Sequence, residues 1–373
     1  MYHQSPLTRR IEMSKNRNLL HFSQEELTEI VGKFSFPPFR ATQIFQWIWK
    51  NRVSSLEEMR TLPKGLLSLL KDEGYFLLWP TIKKSEKSSD GTIKILYELE
   101  DLRTVETVAI PREDQGRLTV CISTQVGCRM GCTFCMTAQQ KTERNLYFSE
   151  IVAQILLLED FKKVTNVVVM GMGEPFDNYD ELMKSLDVMM NDKLSLGIGA
   201  GKITVSTSGL LPKIEKFAEE SKCRLAISLN APNNILREKI MPINKAYPIE
   251  KLLSLVKKIS GPHFPRARKR KFYVTFEYIL MKEYNDSPEQ ARELLKLVEG
   301  IPCKINLLRY NENPYSPFKR PEMKRVLAFQ EVLINGGQLN FLRKSRGRDI
   351  SAACGQLASQ DKRNSGPEVE LLN

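Results

Sequence analysis

Histidine is scarce in this chain of 373 residues: only His3, His21 and His263 occur. None lies near the cysteine-rich stretch, so the usual Cys/His zinc spacings cannot be completed locally. Long apolar runs are missing too. Nothing approaches the roughly 18 to 20 consecutive apolar residues of a membrane-spanning helix, and the opening MYHQSPLTRRIEMSKNRN lacks the apolar core of a secretion signal. The expectation is a cytoplasmic chain with no membrane partner. Acidic residues are outnumbered, 44 against 56 Lys and Arg, and the resulting net charge of +12 favours a polyanionic partner, nucleic acid before a membrane surface. The cysteines number seven, and an odd count without a secretion signal argues against a disulfide framework and for metal or redox chemistry.

The length exceeds the size at which one hydrophobic core usually stops growing, so a large domain with a smaller one is the natural division. Over 1–80 the pattern predicts a helical module. Ser23 and Glu26 form a capping box for a helix from about 24 to 32, and FPPFRATQIFQWIWK puts Ile44, Phe45, Ile48 and Trp49 on one helical face. The plain reading of those aromatics is core. Over 81–117, TIKKSEKSSDGTIKILYEL and VETVAIP alternate around a turn at Asp90-Gly91 and suggest a β-hairpin connection.

From 118 to 345 strand and helix patterns alternate, from RLTVCIST through SEIVAQILLLED and TNVVVMGMGEP to QLNFLRKS. Six apolar strands separated by helices predict a parallel α/β sheet, with function collected at the carboxyl ends of its strands. The unusual residues fall there: CRMGCTFC, GMGEP, STSG, SLNAPN and LRYN each follow a strand. Residues 346–373 form a separate closing segment.

CRMGCTFC, residues 128–135, spaces Cys128, Cys132 and Cys135 as C-x3-C-x2-C. A cubane iron–sulfur cluster ordinarily takes four thiolates, so three leave one iron open to another ligand. A structural metal or inert buried thiols are the plain alternatives. At this spacing the loop closely resembles the radical S-adenosylmethionine (SAM) superfamily, in which the open iron chelates SAM and reductive cleavage yields a 5′-deoxyadenosyl radical. That resemblance implies a partial (β/α)6 barrel, and Gly173 and Glu174 in GMGEP match its Gly-Gly-Glu-type element for the SAM amino group.

VETVAIP, CISTQVGCRMGCTFCMTAQQ, VMGMGEP, STSG, AISLNAPN, FEYILMKEYNDS and RGRDISAACGQL together resemble the RlmN group of radical SAM RNA methyltransferases, over about residues 23 to 360. The resemblance implies methylation of adenosine C2 in 23S ribosomal RNA and, in many members, transfer RNA. The sister Cfr group, which methylates C8, is the runner-up. A non-catalytic RNA-binding protein with a structural metal is the alternative of another class. One 4Fe-4S cluster on Cys128, Cys132 and Cys135, and two SAM molecules per turnover, are the implied cofactors. Cys354 would accept a methyl from the first SAM. Cys121 would resolve the RNA adduct through a transient disulfide with Cys354, and Glu106 in VETVAIP would be the proton acceptor. SAM contacts carry over to Gly173, Glu174, Ser206, Ser228, Leu229, Asn230 and Asn311. The implied partners are the RNA and a low-potential electron donor such as flavodoxin, with the chain expected to act as a monomer.

Without the resemblance Cys121 would read as strand core, as Cys223 and Cys303 do. Two features depart from the family pattern. Asn230 stands where His is usual, and an amide replaces one imidazole hydrogen bond but cannot change charge near neutral pH. The stretch PREDQGRLTV between Glu106 and Cys121 is also slightly longer than usual. RARKRK, residues 266–271, suits either a solvated loop or phosphate contact. The target base must be turned out of folded RNA, so shape and backbone contacts should dominate recognition, helped by the amino-terminal module.

Overall fold

The computed structural model describes residues 17–140, 142–193, 196–261, 264 and 274–358. RARKRK lies outside these. The amino-terminal module contains helices α1 (Gln24–Lys33), α2 (Phe39–Trp49) and α3 (Lys64–Asp72). The capping box at α1 is complete: Ser23 N–H donates to Glu26 Oε2 at 2.6 Å, and Glu26 N–H to Ser23 Oγ at 3.2 Å. On α2, Ile44, Phe45, Ile48 and Trp49 are buried as core.

Strands follow as β1 (Thr81–Lys87), β2 (Ile93–Glu98), β3 (Thr104–Arg112), β4 (Arg117–Ile122), β5 (Gln125–Val126), β6 (Arg144–Asn145) and β7 (Val164–Val169). Then come β8 (Ile203–Thr207), β9 (Arg224–Ser228), β10 (Val274–Leu280), β11 (Cys303–Arg309) and β12 (Asn340–Arg343). Ten of them form one sheet in the order β1-β2-β3-β4-β7-β8-β9-β10-β11-β12, antiparallel from β1 to β4 and parallel from β4 onward. The parallel part needs a crossover at each step. Helices α4 (Phe148–Leu156), α5 (Tyr179–Met190), α6 (Leu211–Glu220), α7 (Asn234–Ile240) with α8 (Ile249–Ser260), α9 (Pro288–Leu297) and α10 (Met323–Asn335) supply them. This is the anticipated (β/α)6 arrangement, closed by β12 as a seventh parallel strand. The segment expected as a hairpin is a three-stranded meander, β1 to β3, continuous with the main sheet.

The helical module packs on the same body. Trp49 lies 5.7 Å between ring centroids from both Trp79 and Phe148, and Arg52 Nη1 donates to the Leu156 carbonyl at 3.1 Å. One face of the sheet is dry: Val120, Ile122, Val167, Val169, Ile203, Val205, Leu225, Ile227, Phe276, Tyr278, Ile305 and Leu307 are buried in one core. Side chains alternate along strands and directly paired residues share a face. Register therefore sets the other face: Lys94 opposite Val108, Val108 opposite Cys121, Cys121 opposite Val168, Ser206 opposite Ala226, and Ser228 opposite Glu277. Glu106, two residues before Val108, joins that face. Cys121, Ser206, Ser228 and Glu106, widely separated in the chain, thus line one side of one sheet.

Candidate active site

The cysteine loop leaves β4 and is pinched at its base by the β5–β6 ladder, Gln125 opposite Asn145 and Val126 opposite Arg144. Inside it, Gly131 has φ 68°, a left-handed turn open to glycine without penalty. Cys135 N–H donates to the Cys132 carbonyl at 3.1 Å, and Thr133 N–H to the Ile240 carbonyl at 3.1 Å, which ties the loop to the end of α7. An open cavity of about 590 Å³ runs beside the loop, bounded by Cys128, Arg129 and Gly131 on one side and Arg144, Asn145 and Asp177 on the other. Arg129 is ion-paired to Asp177.

Burial dominates the thiols. It pushes Cys128 up to about 12, reinforced by Cys135, and holds Cys132 well above the usual thiol range, reinforced by Cys135 and Cys128. A cluster that binds Cys128 and Cys132 as thiolates must displace their protons. Three thiols without a histidine form a soft donor set suited to an iron–sulfur cluster. Among the described residues, no three Cys, His, Asp or Glu side chains converge on a single-ion position. A cubane does not require that, because each thiolate takes a separate iron. Thr133 Oγ1 in the loop and Gln356 Oε1 near Cys354 are buried without a hydrogen-bond partner, as groups awaiting a ligand or water would be. The residues present fit the cluster.

Around the loop, the expected SAM-binding residues occupy the strand ends. Glu174 N–H donates to Gln125 Oε1 at 2.8 Å, and the Glu174 carboxylate accepts from Phe176 N–H at 3.1 Å and Ser208 N–H at 2.7 Å. Burial raises its pKa, opposed by these hydrogen bonds and by the Thr207 and Ser208 side chains. Gly173, at φ 99°, presses so closely on Gln125 that a Cβ would lie 2.6 Å from the Gln125 Cβ. Ser206 and Ser228 are half-buried on the site face, and Leu229 is buried. Asn230 is fully buried at φ 58°, a conformation Asn tolerates. Its Oδ1 accepts from Ile279 N–H at 2.9 Å and its Nδ2 faces Met241 Sδ at 3.4 Å, so the amide holds the end of β10 in place.

The carboxyl-terminal segment completes the site. Asp349 accepts from Ser88 Oγ at 2.6 Å and Ser89 N–H at 3.0 Å, anchoring RGRD to the β1–β2 turn. Beyond it, Asn311 Nδ2 donates to the Cys354 carbonyl at 3.2 Å, Met136 N–H to the Gly355 carbonyl at 2.9 Å, and Thr137 Oγ1 to the Leu357 carbonyl at 2.6 Å. Glu106 Oε2 accepts from Ala358 N–H at 2.8 Å. Cys354 is exposed at this junction, yet desolvation pushes its thiol up to about 12, with Cys121 and Cys135 among the groups acting on it. The structure thus brings Cys354, Cys121, Glu106 and the cysteine loop together. Cys223 and Cys303 are buried elsewhere.

Three residues in this region carried no sequence signal. Arg237 is fully buried and donates only to neutral oxygens: Ser208 O at 2.7 Å, Ser228 O at 3.0 Å, Leu229 O at 3.1 Å and Asn244 Oδ1 at 3.1 Å. It clamps the ends of β8 and β9 and lays positive charge beside Cys132, while burial pulls its own pKa to about 10. Glu277 is a carboxylate on the site face, bonded to Asn306 Nδ2 at 2.8 Å. Lys94 is buried against Glu106. In the sequence an amphipathic helix arginine or a strand lysine reads as solvated; only the fold reveals their burial.

A parallel sheet carrying a three-thiol loop at its first crossover defines a radical SAM protein, and residues 122–295 match the radical SAM superfamily. Residues 17–75 match the ribosomal RNA large subunit methyltransferase N-terminal domain. The chain belongs to the RlmN family of radical SAM RNA methyltransferases. It is 42% identical over 353 residues to the dual-specificity RNA methyltransferase RlmN of Syntrophus aciditrophicus, covering 93% of this chain and 98% of that one. With the RlmN of Nautilia profundicola it shares 43% over 341 residues, covering 87% and 94%. A crystal structure of a radical SAM methyltransferase from Sphaerobacter thermophilus superposes with a TM-score of 0.82 at 39% identity, covering 91% of this chain and 98% of that one.

Proposed function

We propose that this chain methylates C2 of adenosine in 23S ribosomal RNA and transfer RNA, using Cys354 as methyl carrier and Cys121 as resolving thiol. C2 of adenine is neither nucleophilic nor bound to an acidic hydrogen, so direct methyl transfer has no electron pair to attack. When bound on Cys128, Cys132 and Cys135, the cluster and SAM supply an electron and a 5′-deoxyadenosyl radical. Cys354 first receives a methyl on sulfur from one SAM; that methyl then gives a hydrogen atom to the 5′-deoxyadenosyl radical, its carbon adds to C2, and the adduct loses one electron, which the oxidised cluster would take back, to leave a closed-shell covalent protein–RNA adduct. Glu106 takes the proton leaving C2. The Cys121 thiolate attacks the Cys354 sulfur, forming a disulfide as the carbon–sulfur bond breaks, and the released carbon, its electron pair delocalised into the adenine ring, takes a proton from water to become the methyl group. Gly173, Glu174, Ser206, Ser228, Leu229, Asn230 and Asn311 hold SAM, and a low-potential donor such as flavodoxin supplies electrons. The chain works as a cytoplasmic monomer, with the helical module 1–80 gripping RNA.

The observation that carries this reading is the docking of the Cys354 segment on both the cysteine loop, through Met136 and Thr137, and Glu106. A disulfide requires the two Cα atoms within about 7 Å in some state, so the segment must move during turnover. Mass spectrometry of the nucleoside product decides the position: 2-methyladenosine is expected, and 8-methyladenosine would overturn the C2 assignment. Cys121→Ala should trap RNA covalently on Cys354, as a slow-migrating band that survives denaturation and vanishes on nuclease treatment. Ordinary methylated RNA at normal turnover from that variant would remove the resolving role.

A further inference from the structure

A row of charge crosses the antiparallel edge of the sheet and ends at the site. Glu86 on β1 pairs directly with Lys94 on β2, and Lys94 sits diagonally from Glu106 on β3. Lys94 Nζ lies 3.4 Å from Glu86 Oε2 and 3.4 Å from Glu106 Oε1. The Lys94 and Glu106 side chains are 5% and 3% exposed, whereas Glu86 is 30% exposed. An ammonium buried so deeply between strands is expensive unless paired.

The Glu106 carboxylate divides its two oxygens. Oε1 faces Lys94, and Oε2 accepts from Ala358 N–H, four residues beyond Cys354. The neighbouring bonds on this segment, from Asn311, Met136, Thr137 and from Gln356 Nε2 to the Glu312 carbonyl, join neutral groups. When Glu106 is ionised, its bond from Ala358 N–H has a charged acceptor, which makes it both stronger and sensitive to a proton.

We propose that Lys94 is a positioning residue for a proton-controlled latch: its ammonium holds Glu106 as a carboxylate gripping the Cys354 segment, and a proton gained at Glu106 loosens that grip. The latch rests on the proposed function only for the source of the proton, which is C2 of the RNA adduct. The proton leaves the closed-shell adduct, so this transfer itself needs no electron acceptor. The carbon–hydrogen pair at C2 stays with the ring, the proton goes to a Glu106 oxygen, and it passes to water when the segment moves. Taking the proton would then free Cys354 at the moment it must turn toward Cys121. Burial pushes Glu106 up to about 7, against the pull of Lys94 and with a smaller push from Glu86. From β4 and the loop after β7, Glu106 meets the uncharged Ser123, whose Oγ donates to the Glu106 carbonyl at 2.6 Å, and Met172, whose sulfur accepts from Glu106 N–H at 3.4 Å.

Hydrogen–deuterium exchange of the peptide containing Ala352–Ala358, in the full chain without SAM or RNA and corrected for intrinsic exchange, tests the latch. Wild-type protection should fall as pH drops through about 7. Lys94→Gln should move that midpoint upward by about 1 to 2 pH units, the usual effect of losing an adjacent opposite charge. Lys94→Arg should restore it, and Glu86→Gln, at the exposed end of the row, should move it slightly downward. Protection independent of pH in the wild type, or a midpoint unmoved by Lys94→Gln and Glu86→Gln, would overturn the latch. Loss of RNA methylation with the exchange behaviour intact would instead count against the proposed function and leave the latch standing.

Discussion

At the residue scale the site is a set of thiols in unequal surroundings. Cys128, Cys132 and Cys135 sit on one pinched loop, so removing any one leaves two ligands for a cubane. Each single Ala variant should bind little iron and form no 5′-deoxyadenosine. Full deoxyadenosine production by a purified variant would sink the cluster assignment. Cys121 differs because it lies within a strand, where burial pushes its thiol up to about 12. Its thiolate is therefore rare near neutral pH, and with lower acidity partly offset by higher intrinsic nucleophilicity, alkylation at about pH 8 should run roughly fifty-fold slower than for free cysteine. Mass-spectrometric rates on metal-free protein check this. As a resolving thiol, Cys121 must then react through proximity to the Cys354 sulfur, since it gains no help from ionisation.

The elements matter through how closely their ends approach. The loop after β7 packs directly on the start of the cysteine loop, and Gly171 is the contact point: a Cβ there would lie 2.6 Å from Ser123 Oγ and 2.8 Å from the Ile122 carbonyl. A backbone atom cannot step aside as a flexible side chain can. Gly171→Ala should therefore destabilise the fold by about 1 to 3 kcal/mol, as overpacking does, and lower iron retention with it. A melting temperature equal to wild type would show that β4 and the loop after β7 separate without penalty. Asp90 illustrates the opposite case, a turn residue doing long-range work. Although desolvation opposes it, hydrogen bonds from Thr92 and Gly347 hold its pKa to about 2. The turn expected at Asp90-Gly91 was visible in its residue types; its second partner, Gly347 N–H at 3.1 Å, was not.

For the whole molecule, the helical module and the sheet behave as one packed body. Trp49 is 1% exposed and touches aromatic rings on both sides of the junction. Trp49→Ala should cost about 3 to 5 kcal/mol and shift a single unfolding transition, the signature of shared cooperativity. Two separated transitions in that variant or in wild type would show that the module folds alone. Net charge of +12 makes the second whole-molecule prediction. RNA affinity should fall steeply with salt, and replacing Arg268, Lys269 and Arg270 together by Ala should flatten the log–log slope. An unchanged slope would assign RARKRK to solvent.

What the sequence by itself determined was everything decided between near neighbours. The C-x3-C-x2-C spacing, the Ser23–Glu26 capping box, the alternation of strand and helix and the placement of unusual residues after strands all depend on residues within a turn or a strand of each other. Chain-neighbour physics is written directly in residue order. Register and closure are not. Cys121 and Cys354 share a site because β3, β4 and β7 pair in one register, and because the last segment returns across the mouth of the sheet to bond Glu106, 252 positions away. Such contacts form only after loop closures whose entropy and geometry no local pattern encodes. The same holds for Arg237 and Lys94, whose types suggest solvent and whose burial follows from the surfaces that happen to meet around them. The tertiary structure decided which charges are dry, and with that which of them can act.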